Sequence, residues 1–208
     1  MNMPSERTVA EMVIQLGRAG FCEGPGGLTP AQWTALRYFS RANRFSRTVS
    51  AFAGFHATTK GTASQTVKSL VGRQLLTRTP SERDGRSVTL DLTSAGEALL
   101  AQDPFQSLVH AVARLPREQR RDVAAGLAQV LEDLARESGR RRFGACKDCF
   151  YLCGAFVLGQ PAVFTCRLVG EPLDRNETGQ ICVNFRAEAH ENGVEKPTAE
   201  AESADPQL

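Results

Sequence analysis

The stretch Arg83-Asp84-Gly85-Arg86-Ser87-Val88-Thr89-Leu90-Asp91-Leu92-Thr93-Ser94-Ala95-Gly96 decides how the rest of the chain is read. An Asp-Gly turn sits between two arginines, and Val88, Leu90 and Leu92 then alternate with polar residues, the period of a half-buried strand. Ser87 to Leu92 therefore pairs with a run from Leu75 to Pro80, and 81–86 closes a hairpin with a basic tip. Toward the N-terminus, Thr62 to Leu75 reads as a helix with Ala63, Val67, Leu70 and Val71 on one face, and Thr48 to Phe55 as a short apolar helix. Thr29-Pro30 is a helix start, an N-cap with proline in the first turn, opening a helix with Trp33, Leu36 and Phe39 that ends near Asn43. Thr8 to Arg18 is a further amphipathic helix, followed by a glycine-rich loop that holds Cys22.

Beyond the hairpin, two long helices are predicted at about 94–115 and 117–137, separated by Pro116. Leu99, Leu108, Val109, Val112, Val123, Leu127, Val130, Leu131 and Leu134 recur along them every three or four residues, more apolar surface than a small domain needs for itself. The chain has 208 residues, 41% of them hydrophobic and 23% charged, the balance of a globular protein with one core and a small appendage. Its net charge of +2 hides an asymmetry. Between Arg41 and Arg86 nine Lys or Arg face only Glu82 and Asp84, whereas the last 22 residues carry six acids and only Lys196. No apolar run reaches the length of a membrane span and the first residues lack the form of a signal peptide, so a cytoplasmic protein without membrane partners is expected. The order of elements predicts a mainly α protein with a small β-hairpin wing. Residues 1–27 are an N-terminal dimerisation helix and loop, 28–93 a winged helix–turn–helix lobe, 94–138 dimerisation helices, 139–187 a Cys-rich module, and 188–208 a disordered acidic tail.

Residues 28 to 100 resemble the MarR family of bacterial regulators. The resemblance is carried by Leu28-Thr29-Pro30-Ala31-Gln32-Trp33, by Thr66-Val67-Lys68-Ser69-Leu70, and above all by the wing sequence quoted first. It extends over roughly residues 5 to 137 and excludes the cysteines. Gln74 departs from it, standing where the family usually has glycine, and a locally different turn is expected there. Independently of the resemblance, Thr59, Lys60, Thr62, Ser64, Gln65 and Lys68 supply the short polar and basic side chains that a recognition helix presents to base edges in the major groove. Arg83 and Arg86 suit phosphate contact and a narrow minor groove. In the family, the arginine matching Arg86 works in the wing at DNA and the aspartate matching Asp84 orients the arginine pair. The resemblance implies a homodimer on a pseudo-palindromic double-stranded operator, and a small-molecule effector held between dimer helices and DNA-binding lobe. No residue identifies such an effector, and no constellation with catalytic context is present, so an enzyme is not expected.

Five cysteines fall between Cys146 and Cys182 after 123 residues without one. Four form C-x2-C-x16-C-x15-C: Cys146, Cys149, Cys166 and Cys182. In a reducing compartment such thiols are metal ligands or redox groups before they are disulfides. One C-x2-C knuckle with two single cysteines among Phe143, Phe150, Tyr151, Phe156 and Phe164 favours an iron–sulfur cluster, 4Fe–4S or 2Fe–2S, with structural zinc as the alternative and thiol–disulfide chemistry as a third. Cys153 is a candidate substitute ligand; a buried apolar role is the plainer reading for it. His56, His110 and His190 lack metal-ligand spacing. Because the cysteines follow directly on the helices expected to set dimer geometry, the module is expected to dock on those helices and to modulate operator affinity through them.

Overall fold

The computed structural model describes residues 3–19, 24–80, 88–140, 142–155 and 163–187. Seven α-helices are described: α1 (Glu6–Ala19), α2 (Pro30–Arg41), α3 (Val49–Phe55), α4 (Lys60–Gly72), α5 (Ser94–Leu100), α6 (Phe105–Ala113) and α7 (Arg117–Glu137). A hairpin of β1 (Leu76–Pro80) and β2 (Val88–Leu92) is antiparallel, with Leu76 opposite Leu92 and Pro80 opposite Val88. Local sequence sets the helix starts. Thr29 and Gln32 form a reciprocal capping box with Pro30 in the first turn, and Thr48, Thr59 and Thr93 each cap the helix that follows with a side-chain oxygen. The core is that of the winged lobe: Trp33, Leu36, Tyr38 and Phe39 of α2, Phe52 of α3, Val67 and Leu70 of α4, and Leu76 and Leu90 of the hairpin. The winged helix–turn–helix fold is present, and α4 starts earlier than the sequence reading placed it, because Thr59 rather than a residue nearer Thr62 is the cap.

The helix expected to run from 94 to 115 is two helices, α5 and α6. Pro104 has no N–H to donate and its ring disfavours helical backbone at Asp103, so the chain stops and restarts. Asp103 turns this break into a joint. Its buried carboxylate accepts two hydrogen bonds from Arg37 of α2, at 2.6 and 2.5 Å, and a third at 2.9 Å from the Phe105 N–H at the start of α6.

At Gln74 the expected difference does not occur. The residue takes the left-handed conformation, φ 57°, that glycine takes most easily. Leu75 N–H bonds to Leu70 O and Gln74 N–H to Val71 O, the two bonds of a Schellman motif, and the wing leaves α4 by the turn that glycine would make.

The Cys-rich module consists of short strands. β3 (Gly144–Ala145) pairs with β7 (Ile181–Cys182), while β4 (Leu152–Ala155), β5 (Val163–Cys166) and β6 (Glu171–Leu173) make a three-stranded antiparallel sheet in that order. The module does not rest chiefly on the long helices, as its place in the sequence led one to expect. It docks on the turn between α2 and α3. Asn43 N–H bonds to Ile181 O at 2.9 Å, Ile181 enters the core of the winged lobe, and Arg44 pairs with Glu177 at 2.6 Å and Glu171 at 3.3 Å. Its tie to α7 is an Arg142–Glu132 ion pair. The reason is chemical: residues 42–46 offer buried polar and apolar partners to the module, and α7 has no buried residue at all. Among the described residues no helix is long and apolar enough to cross a membrane. The acidic tail 188–208 lies outside the described residues.

Candidate functional site

Two sites are built on this frame. The first is α4 with the turn before it. Ala63, Val67 and Leu70 are buried against the lobe, so the helix can turn only its other face outward, and Thr59, Lys60, Thr62, Ser64, Gln65 and Lys68 are all exposed there. Thr59 accepts the Thr62 N–H at 3.1 Å, and the hydroxyls of the two threonines lie 2.9 Å apart, so both serve the cap as well as the surface. Lys60 occupies the first helical position with no acid in the first turn. A cation there opposes the helix dipole and does nothing for the fold, whereas the free N–H groups and the lysine together attract an anion such as a phosphate. Arg83, Asp84 and Arg86, the sequence-predicted wing tip, lie outside the described residues.

The second site is a small cavity into which Cys146, Cys149, Cys166 and Cys182 all face. The C-x2-C knuckle is a 3-10 turn held by a Cys149 N–H to Cys146 O bond of 3.0 Å. Cys182 arrives on β7, pinned through Gly144, whose missing Cβ leaves room for the Phe185 ring. Cys166 arrives at the end of β5 opposite Leu152. Leu152, Leu173, Phe45 and Tyr151 complete an apolar and aromatic wall, and Asn43 and Asn184 are the amides that reach it. Cys153 is not brought to the cavity: successive residues of a strand point to opposite faces, and Leu152 of β4 is the one that lines it. Cys22 lies outside the described residues. The five described cysteines are free thiols. Among the described residues no three Cys, His, Asp or Glu side chains form a ready-made site for a metal ion.

The sulfurs are electrostatically coupled. Cys182 is pulled down to about 6, first by a hydrogen bond from Cys146, against the burial that opposes it, with further donors in Asn43, the Asn184 backbone and Ser46. Cys146 is pushed up by the same bond, by burial and by the charge on Cys182. The bond between the two thiols therefore moves their proton affinities apart, Cys182 down and Cys146 up. Asn43 donates its side-chain N–H to Cys146 Sγ at 3.4 Å. The sequence reading missed Asn43 and Ser46, which lie 103 and 100 positions before Cys146. No local pattern marks them; the only signal was two small polar residues in a turn flanked by aromatic residues.

As a donor set, four soft thiols with N–H donors to sulfur and an apolar wall fit a thiolate-bound metal centre. Residues 26–87 match the MarR family model. Among solved structures, S. aureus MepR in complex with DNA is 20% identical, with TM-score 0.51, covering 64% of this chain and 99% of that one. A MarR transcriptional regulator from Methanosarcina mazei Go1 is 21% identical with TM-score 0.48, over 63% of this chain and 99% of its own. S. aureus MarR in complex with salicylate and kanamycin is 24% identical with TM-score 0.48, over 64% and 89%. No curated protein matches the chain. The family match spans the second helix, the helix–turn–helix and the first wing strand, and the MepR likeness carries the same fold, so this part of the chain has a winged helix–turn–helix fold and is similar in sequence to the MarR family.

Proposed function

We propose that this protein is a dimeric DNA-binding transcriptional regulator whose operator affinity depends on an iron–sulfur cluster held by Cys146, Cys149, Cys166 and Cys182. The observation that carries the reading is that these four cysteines line one apolar-walled cavity joined to a winged helix–turn–helix. DNA binding is supported by the exposed polar face of α4 and its basic first turn. Dimerisation is supported by α1, α6 and α7, which bury none of their residues within one chain and leave Val13, Val112, Leu127 and Leu131 exposed. A cluster is favoured over zinc by the sequence pattern, one C-x2-C knuckle with two single cysteines among aromatic residues. When bound, such a group would supply one-electron chemistry and sensitivity to oxidants, nitric oxide and iron supply; the four cysteines would hold it, with Asn43 and the Asn184 backbone donating to the cysteine sulfurs.

Protein purified without oxygen is expected to be brown, to contain iron and sulfide, and to lose both in Cys149→Ser. Its affinity for a duplex selected from random sequence should change about tenfold when the metal is stripped, the size of an ordinary coupling between two sites. A colourless protein with one zinc per chain would overturn the cluster and leave a regulator with a structural zinc, whose effector would then be sought among small organic molecules.

A further inference from the structure

Asn43 and Ser46 are completely buried, and apart from Asp103 they are the only buried polar residues among those described. A buried amide and hydroxyl cost stability unless each is bonded, and apolar residues would fill the same turn at lower cost. Their bonds run in one line. The Val183 N–H donates to Ser46 Oγ at 2.8 Å, the Ser46 hydroxyl donates to Asn43 Oδ1 at 2.7 Å, and the Asn43 amide donates to Cys146 Sγ at 3.4 Å. The Ser46 carbonyl of the same turn is held by the lobe. The Tyr38 hydroxyl of α2 donates to Ser46 O at 2.8 Å, and so does the N–H of Thr48, the cap of α3. α3 in turn packs on the recognition helix α4.

We infer that Asn43 and Ser46 couple the thiolate cavity to the helix–turn–helix, so that the state of the cysteine-bound group is read at the α2–α3 turn and not through the dimerisation helices. The inference rests on the metal-dependent reading above. A sulfur that gains or loses a metal changes as an acceptor, Asn43 must follow or lose its bond, and Ser46 carries the change to the residues that place α3. A fully satisfied buried network of this kind has few alternative arrangements, which makes it responsive to one altered member. Asn43 and Ser46 are positioning residues: they act on α3 and α4, not on DNA.

The experiment is amide hydrogen exchange on anaerobically purified full-length protein before and after chelator treatment, alongside metal analysis and binding to the selected duplex. Exchange in 42–55 is expected to rise about tenfold on stripping while α7 stays unchanged, since local opening reports the stability of its own unit. In Ser46→Ala, the duplex affinities of the metal-loaded and stripped forms are expected to come within about twofold of each other, against about tenfold in the wild type. Metal that binds and leaves with no change in 42–55, or with a change confined to α7, overturns the inference and spares the metal-dependent reading. Wild-type protein that binds no metal overturns both. Should Ser46→Ala fail to fold, the wild-type exchange pattern decides alone.

Discussion

Gln74 shows how little a single residue's preference weighs against a packed turn. A non-glycine residue at φ 57° costs roughly 1–2 kcal/mol. Here that cost is offset by the two Schellman bonds, by the Thr93 hydroxyl donating to Gln74 O at 2.6 Å, and by burial of Leu75 and Leu76 on the far side of the turn. Gln74→Gly should therefore stabilise the protein by about 1 kcal/mol, less the larger entropy of the unfolded glycine chain. Denaturant melts at equal slope would show it; a destabilised variant would mean that the Gln74 side chain contributes something its exposure does not suggest. Gly96 is the opposite case. A Cβ there would stand 2.2 Å from Leu75 O, so glycine in the wing motif is required by the close approach of α5 to the turn after α4.

At the scale of elements, α4 is longer at its N-terminus than apolar periodicity indicated, because the cap is a polar threonine that periodicity does not register. That shift puts Lys60 in the first turn, where its charge opposes the dipole unless an anion is present. Lys60→Ala should weaken binding to all duplexes alike and lower the slope of log affinity against log salt by about 0.9, as expected for one lost phosphate contact. A loss restricted to one base sequence, with the slope unchanged, would place Lys60 at a base edge instead. The break between α5 and α6 belongs here too. The Asp103-Pro104 pair is a boundary signal, which the expectation of one helix over about 94–115 did not take into account. In the fold, the buried Arg37–Asp103 pair makes that boundary the point where α2 meets α6.

For the whole molecule, the chain divides its apolar residues between a buried core and exposed positions on α1, α6 and α7. Leu131 and Leu134 of α7 are 65% and 56% exposed in the single chain. Burying one such leucine contributes about 2 kcal/mol, so the double variant Leu131→Asp with Leu134→Asp should sediment as a monomer and bind the selected duplex far more weakly. A variant that remains dimeric would move the interface to α1 and α6. On the proposed reading, the state of the Cys-rich module reaches α4 within one protomer through the α2–α3 turn, and a dimer serves to present two copies of α4 together.

The sequence by itself determined the helix–turn–helix, the hairpin, the exposed face of α4 and the cysteine spacing, because these are written in short-range signals: threonine caps, Pro30, periods of 3.6 and 2, and the C-x2-C knuckle. It also showed that α6 and α7 carry more apolar surface than one chain can bury. What it left open is where the module sits and what touches its sulfurs. Asn43 meets Cys146 across 103 positions, and Ile181 joins the core of a lobe that begins near residue 28. Contacts at such separation leave no periodicity and no motif. They exist only because the α2–α3 turn offers the module buried partners that α7 lacks, and that choice belongs to tertiary packing alone.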